Sequence, residues 1–390
     1  MAIISKSRIL FICFITAALL GLASESGAET SARVIFIGDI MAHAEQIEAA
    51  SADAAWDFKP QFRRVKPLFE NALVVGNLET VFAGRERKFT GYPMFNTPDE
   101  LAEALVDLGV NLVTLANNHI FDRKSSGAAR TTEVLESYGI EWTGLGLGET
   151  GLDEPKIVEY AGLRWAFLNY TYGSNTPLKS SGDAVRLNVI SEDAIKKGLA
   201  AARAASPDII AACYHWGNEY QFVPTERQRK IASLSVSGGA DLVIGTHPHV
   251  LQPAEIISSD KGYGLVAYSL GNFVSFQRTP PRERSVILAV DIVKPDGERA
   301  VISRVSVAPV RVSYRKLLGR RRLEVVYAGK GGRFNHAGLP VEELGNARQA
   351  GSAVLEFMGA NAVPDEDGFY TLWSRDAPDT LPKGGRKTPQ

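Results

Sequence analysis

The sequence predicts an α/β protein of two packed sheets with helices on their outer faces, and three observations carry that prediction. Short apolar, β-branched runs alternate with helical stretches through the first half of the chain, the pattern of parallel βαβ units. These runs are apolar at consecutive positions, as expected of strands covered on both faces. Later strand patterns come in hairpin-like pairs, and the mixture of the two arrangements points to two sheets.

In chain order, a strand over 34–37 precedes a helical stretch over 43–54, and a helical segment ending near Asn71 leads to a strand over 72–75. A helix over 99–108 is opened by Pro98 and Asp99 and closed by Gly109. A strand over 112–115, a helix over 130–138 closed by Gly139 and a short strand over 140–143 complete this alternation. Strands over 156–160 and 164–170 form a hairpin through Ala161, Gly162 and Leu163. Residues 171–183, rich in Gly, Ser, Asn and Pro, read as a loop. A helix over 192–205, a strand over 209–214 and a helix over 225–237 follow. The last begins in a capping box of Thr225 and Gln228 and is stopped by Gly238 and Gly239. Strands over 242–244, 265–268, 285–292 and 301–306 end the main body, assigned to residues 29–312. Residues 313–390 read as a C-terminal extension, with a basic stretch over 315–322, a helix over 340–358 and a disordered tail over 382–390.

The 390 residues are 45% hydrophobic and 22% charged, with a net charge of −1, which suits one large globular domain plus additions. Near-neutral charge gives no footprint for nucleic acid. At the N-terminus Lys6 and Arg8 precede an apolar run over 9–22, and Ser26, Gly27 and Ala28 make a small-x-small cleavage pattern. A signal peptide over 1–28 is therefore expected, and with it export to a periplasmic or extracellular location. Retention of residues 9–23 as a membrane anchor is the alternative. Cleavage would leave Cys213 as the one cysteine, a small buried hydrophobe with no disulfide partner.

Metal-liking side chains follow five of the strand patterns. They are Asp39 behind Gly38; Asn77 and Glu79; Asn117, Asn118 and His119; His215; and His247 with His249. Loops leaving the carboxyl ends of such strands converge on one crevice. Water-activating divalent metals take imidazole and carboxylate ligands with one position left open. In an extended segment His247 and His249 point the same way, with Pro248 stiffening the spacing. Asp39 reads as a ligand or as a cap of the next helix, and Glu79 as a bridging ligand or as a solvated loop carboxylate. Asn118 beside His119 suggests an amide ligand next to a free acid, with Asp122 orienting the imidazole. His43 reads as a ligand or as a lining residue. Tyr92, Trp216, Glu219 and Asn272 are candidates for the pocket walls, together with Asn77 and Asn117. A mixed His, Asn and carboxylate set suits one or two ions of Mn, Fe or Zn.

These motifs resemble those of the capsule-synthesis CapA family, the PgsA-type poly-γ-glutamate proteins, which is related to the calcineurin-like metallophosphoesterases. The matching stretches are Phe36–Met41, Gly76–Thr80, Leu115–His119, His215–Tyr220, Ile244–Val250 and Tyr268–Phe273, in order between Val34 and Phe273. The resemblance implies a four-layer α/β/β/α sandwich of two mixed sheets. It also implies Asp39 and His249 on one metal, Asn118, His215 and His247 on a second, Glu79 bridging and His119 as the acid. Phosphoesterases of that superfamily usually open on Asp-x-His, whereas here Met41 stands in the imidazole position, and Glu79 replaces the usual second-motif Asp. The expected function is that of an exported metal-dependent hydrolase cleaving a phosphoester or amide of poly-γ-glutamate or another envelope polymer. A non-catalytic part of a membrane polymer-synthesis or export complex is the main alternative, and a sugar- or peptide-binding protein a weaker one.

Overall fold

The computed structural model describes residues 29–376, apart from 53–54, 149, 178–184, 261, 318, 331–333 and 335. The expected signal segment over 1–28 and tail over 382–390 lie outside the described residues. Among the described residues no helix is long and apolar enough to cross a membrane.

Two large mixed sheets form the centre. The first runs edge to edge through Arg320–Tyr327, Val301–Leu317, Arg284–Lys294, Thr30–Ile40, Leu73–Leu78, Val110–Thr114 and Glu141–Thr143. Its last four strands are mutually parallel and the others antiparallel. Asn272–Val274 adds to the end of Thr30–Ile40, and Tyr370–Ser374 pairs with Val301–Leu317. The second sheet runs Leu251–Ser259, Gly262–Leu270, Leu242–Thr246, Ile209–His215, Leu163–Thr171 and Lys156–Tyr160, parallel in its four central strands.

The layers follow from the two-residue period of a strand. In the second sheet Trp165, Phe167, Ile209, Ala211 and Cys213 enter the core shared with the first sheet. The alternate residues Ala166, Leu168, Ile210, Ala212 and Tyr214 face Ile195 and Leu199 of helix Glu192–Ala204 and Ile231 and Val236 of helix Glu226–Ser237. Leu101, Leu105 and Leu108 of helix Glu100–Leu108 are buried against the first sheet's side of the core. The result is the four-layer α/β/β/α arrangement.

Several boundaries differ from the sequence expectation. The helix expected over 43–54 ends at Ala50, where the two-residue strands Ser51–Ala52 and Ala55–Trp56 turn the chain back. The helix expected over 130–138 begins at Lys124, because Gly127 and its neighbouring serines hide a first turn that tertiary packing supports. Strands Leu251–Ser259, Asn272–Val274, Arg320–Tyr327 and Tyr370–Ser374 were not foreseen. The boundary placed after residue 312 falls inside the strand Val301–Leu317, so the segment beyond it completes the first sheet rather than extending from it. Charge concealed this: Arg315 pairs with Glu324 at 2.7 Å across the hairpin, and Arg321 pairs with Glu48 at 2.7 Å.

Candidate metal centre

The parallel strands of both sheets end at one edge, and backbone contact closes the gap between them. Gly38 lies so near the turn at Gly271 that a Cβ on it would sit 1.8 Å from the Gly271 carbonyl oxygen. The Asp39 N–H donates to that oxygen at 3.0 Å, which places Asn272 beside Asp39 in register. Gly245 similarly lets its strand approach Tyr268, where a Cβ would meet the carbonyl oxygen at 1.9 Å. These approaches need glycine and bring the donor-bearing loops together.

Asp39, Glu79, Asn118, His215, His247 and His249 meet at this edge, all buried. His249 Nδ1 lies 3.0 Å from Asp39 Oδ2 and 2.9 Å from Asn272 Oδ1. Its Nε2 is 3.8 Å from Glu79 Oε1, and His215 Nε2 approaches the same oxygen at 3.6 Å. His215 Nε2 is also 2.8 Å from Asn118 Oδ1. Both Glu79 Oε1 and His247 Nδ1 are buried without a hydrogen-bond partner. Three sets, Glu79 with His215 and His247, Asp39 with Glu79 and His249, and Glu219 with His247 and His249, each have their donor atoms within 4.8 Å of one another. These residues could hold one or more divalent cations.

The electrostatics agree. Burial, and then the neighbouring Asp39 carboxylate, pushes Glu79 well above the usual carboxylate range. Burial and then the nearby His247 hold His215 well below its ordinary value, and burial and then His249 bring His247 down to about 3. Neutral imidazoles are what a cation requires of its ligands, and a cation would favour the charged form of the Glu79 carboxyl that burial and Asp39 disfavour.

His247 and His249 do not converge through an extended segment as the spacing suggested. Both lie in a turn with positive φ, 97° and 57°. His119 Nδ1 is 2.8 Å from Asp122 Oδ2, and the same oxygen accepts the Phe95 N–H at 2.8 Å, so the imidazole is held at a fixed angle.

Among the expected wall residues, Asn77, Asn117 and Asn272 are buried positioning groups. Asn77 Nδ2 donates to Asp39 Oδ1 at 2.8 Å, while its Oδ1 accepts from Thr114 at 3.2 Å. Asn117 Nδ2 donates to the Leu78 carbonyl at 2.8 Å and its Oδ1 accepts the His119 N–H at 3.1 Å. Asn272 Nδ2 donates to the Arg282 carbonyl at 3.0 Å. Trp216 belongs mainly to the helix-side core, its indole N–H bonded to the Tyr268 carbonyl at 2.9 Å. His43 Nδ1 accepts the Phe276 N–H at 3.2 Å, and His43 joins none of the donor sets. Tyr92, 69% exposed, stands at the rim with its ring 6.3 Å from that of His119.

Two residues of the loop after Leu163–Thr171 were missed. The half-exposed Tyr172 has its ring 4.6 Å from His247, and burial raises its phenol to about 12. Asn175 Nδ2 is 3.4 Å from His119 Nε2. Their signal was the polar loop composition, which gives no direction in space.

Fold and site together define an α/β sandwich with a carboxylate and imidazole cluster at the carboxyl ends of its strands. The family described as bacterial capsule synthesis protein PGA_cap matches residues 33–277, and the chain belongs to it. It is 29% identical over 228 residues to the capsule biosynthesis protein CapA of Bacillus anthracis, covering 55% of this chain and 53% of that protein, so it spans about half of that relative's length. It is 29% identical over 295 residues to the PGA biosynthesis protein CapA of Bacillus subtilis (strain 168), covering 71% and 70% of the two chains. Among solved structures, Haemophilus influenzae NAD nucleotidase (NadN) aligns with TM-score 0.47 at 12% identity, over 83% of this chain and 62% of that one.

Proposed function

We propose that this chain is an exported, metal-dependent hydrolase-like protein that acts on a phosphoester or amide bond of a capsule or related envelope polymer. The observation that carries the proposal is Glu79 Oε1, a fully buried carboxylate oxygen with no hydrogen-bond donor, faced by Nε2 atoms of His215 and His249 at 3.6 and 3.8 Å. Leaving such a group without a partner costs several kcal/mol, on the order of 3 or more, unless a cation or a proton answers it.

Asp39, Glu79, Asn118, His215, His247 and His249 would hold the ion or ions. A divalent metal there would supply electrophilic polarisation of the scissile group and lower the pKa of a bound water. The remaining roles fall to side chains of the chain itself. His119, oriented by Asp122 through Nδ1, presents Nε2 toward Asn175 and is placed to protonate a leaving oxygen or nitrogen. Tyr92 and Tyr172 flank the mouth with exposed rings suited to contact an extended substrate. The biosynthetic role that the names of the two relatives state favours a second reading: a metal-containing but non-catalytic component of a membrane polymer-synthesis or export complex.

Metal content and hydrolysis test the two readings, with bis(p-nitrophenyl) phosphate and poly-γ-glutamate as substrates. The wild type is expected to retain transition metal and turn over one of them. His119→Ala should keep the metal and lose about 10²- to 10⁴-fold in rate, whereas His247→Ala should lose metal and rate together. Bound metal with no turnover of either substrate would favour the second reading. A chain that binds no metal after reconstitution would overturn both.

A further inference from the structure

We infer that Glu219 is a metal ligand supplied from the mouth of the site, binding a divalent cation together with His247 and His249. This rests on the metal-centre reading above and assigns Glu219 to the ion rather than to the pocket wall.

Two residues after Asp39 the chain offers no imidazole. Met41 occupies that place, buried, with its N–H bonded to the Val274 carbonyl at 2.9 Å. His43 does not replace it, because its Nδ1 accepts the Phe276 N–H. Glu219 instead has a carboxylate oxygen within 4.8 Å of ring nitrogens of His247 and His249.

The backbone just after it is fixed. The Tyr220 N–H donates to the Pro248 carbonyl at 2.8 Å, which fastens the turn carrying Glu219 onto the turn carrying the two histidines. Tyr220, His247 and His249 all have positive φ, at 63°, 97° and 57°. That region is costly for side chains of this size and persists where the surroundings enforce it. The Arg282 guanidinium lies 3.5 Å from the centroid of the Tyr220 ring and holds that residue from the far side.

An independent pointer to a ligand comes from His247. This residue is 4% exposed and its Nδ1 has no hydrogen-bond partner. Glu219 itself is exposed. The ion it holds is therefore the outer one, nearer to solution than the ion beside Glu79, and is expected to exchange more readily.

The test uses the full chain, stripped with EDTA and titrated with Mn²⁺ or Zn²⁺ by calorimetry, with bound ions counted by mass spectrometry after gel filtration. Glu219→Gln should bind one ion fewer, or bind one ion about 10- to 100-fold more weakly. Its metal-free melting temperature and far-ultraviolet circular dichroism should match wild type, since an exposed carboxylate carries little of the fold. Glu79→Gln serves as the comparison and should lose binding at the inner position. If Glu219→Gln matches wild type in stoichiometry and affinity while Glu79→Gln does not, the assignment of Glu219 is overturned and the metal centre stands. If wild type takes up no ion, both fail together.

Discussion

At the scale of single residues, donor chemistry and donor geometry have different origins. His215, His247 and His249 were recognisable as candidate ligands because imidazoles gather after apolar strands, whereas Asp39 read equally as a ligand or as a cap of the next helix. Asn77 and Asn117 were equally visible as types, yet their amides are consumed in holding Asp39 and His119, a distinction set by which oxygen lies 2.8 or 3.1 Å away. His43 gives a measurable consequence. Burial holds its imidazole down at about 4, so the ring is neutral in the folded chain while the unfolded chain binds a proton below pH 6.5. The folded-state pKa is the lower one, so this contribution to stability is present above about pH 6.5 and is lost as pH falls towards 4. Between pH 7 and 5 the metal-free wild type should therefore lose about 2 kcal/mol more unfolding free energy than His43→Asn. Urea unfolding of the two proteins at both pH values measures this. An unchanged gap would mean that the ring titrates normally.

At the scale of elements, the strands end where the site needs them because two glycines allow backbone to touch backbone. Gly38→Ala would place a methyl 1.8 Å from the Gly271 oxygen, a backbone atom that cannot swing aside. The expected cost is about 3 kcal/mol, with a lower melting temperature and weaker metal uptake as Asp39 and Asn272 separate. An alanine variant as stable as wild type would show that the turn at Gly271 yields freely. Helix Glu226–Ser237 illustrates what local sequence specifies well: the predicted capping box is present, with the Gln228 N–H donating to Thr225 Oγ1 at 3.2 Å. Strand Arg320–Tyr327 illustrates the opposite. Its charges read as solvated, yet Glu324 is buried and pairs with Arg315 across the hairpin at 2.7 Å, and Arg321 pairs with Glu48 at 2.7 Å.

For the whole molecule, the chain beyond residue 312 supplies strands that complete the first sheet. Removing it would expose Val305 and Val307 of the first sheet, take away Arg320–Tyr327 and Tyr370–Ser374, and uncover the surface under helix Val341–Met358. A long unpaired sheet edge with apolar faces is an aggregation template. A chain ending at residue 312 should accordingly be insoluble or lack the cooperative melting of the full chain. A soluble, monodisperse product with wild-type near-ultraviolet circular dichroism would show that the segment is dispensable.

The sequence alone determined the alternation of elements, the two-sheet class and the chemical kinds of candidate donor, because apolar periodicity, caps and side-chain chemistry are local properties. It also carried enough ordered motifs to indicate the family. Only the tertiary structure decided that His43 and Trp216 stand apart from the donor sets, that Glu219 and Tyr172 come to them, and that the C-terminal strands close the first sheet. Those outcomes depend on contacts between residues far apart in the chain. Asp39 and His249 share a 3.0 Å contact that no spacing along the sequence encodes.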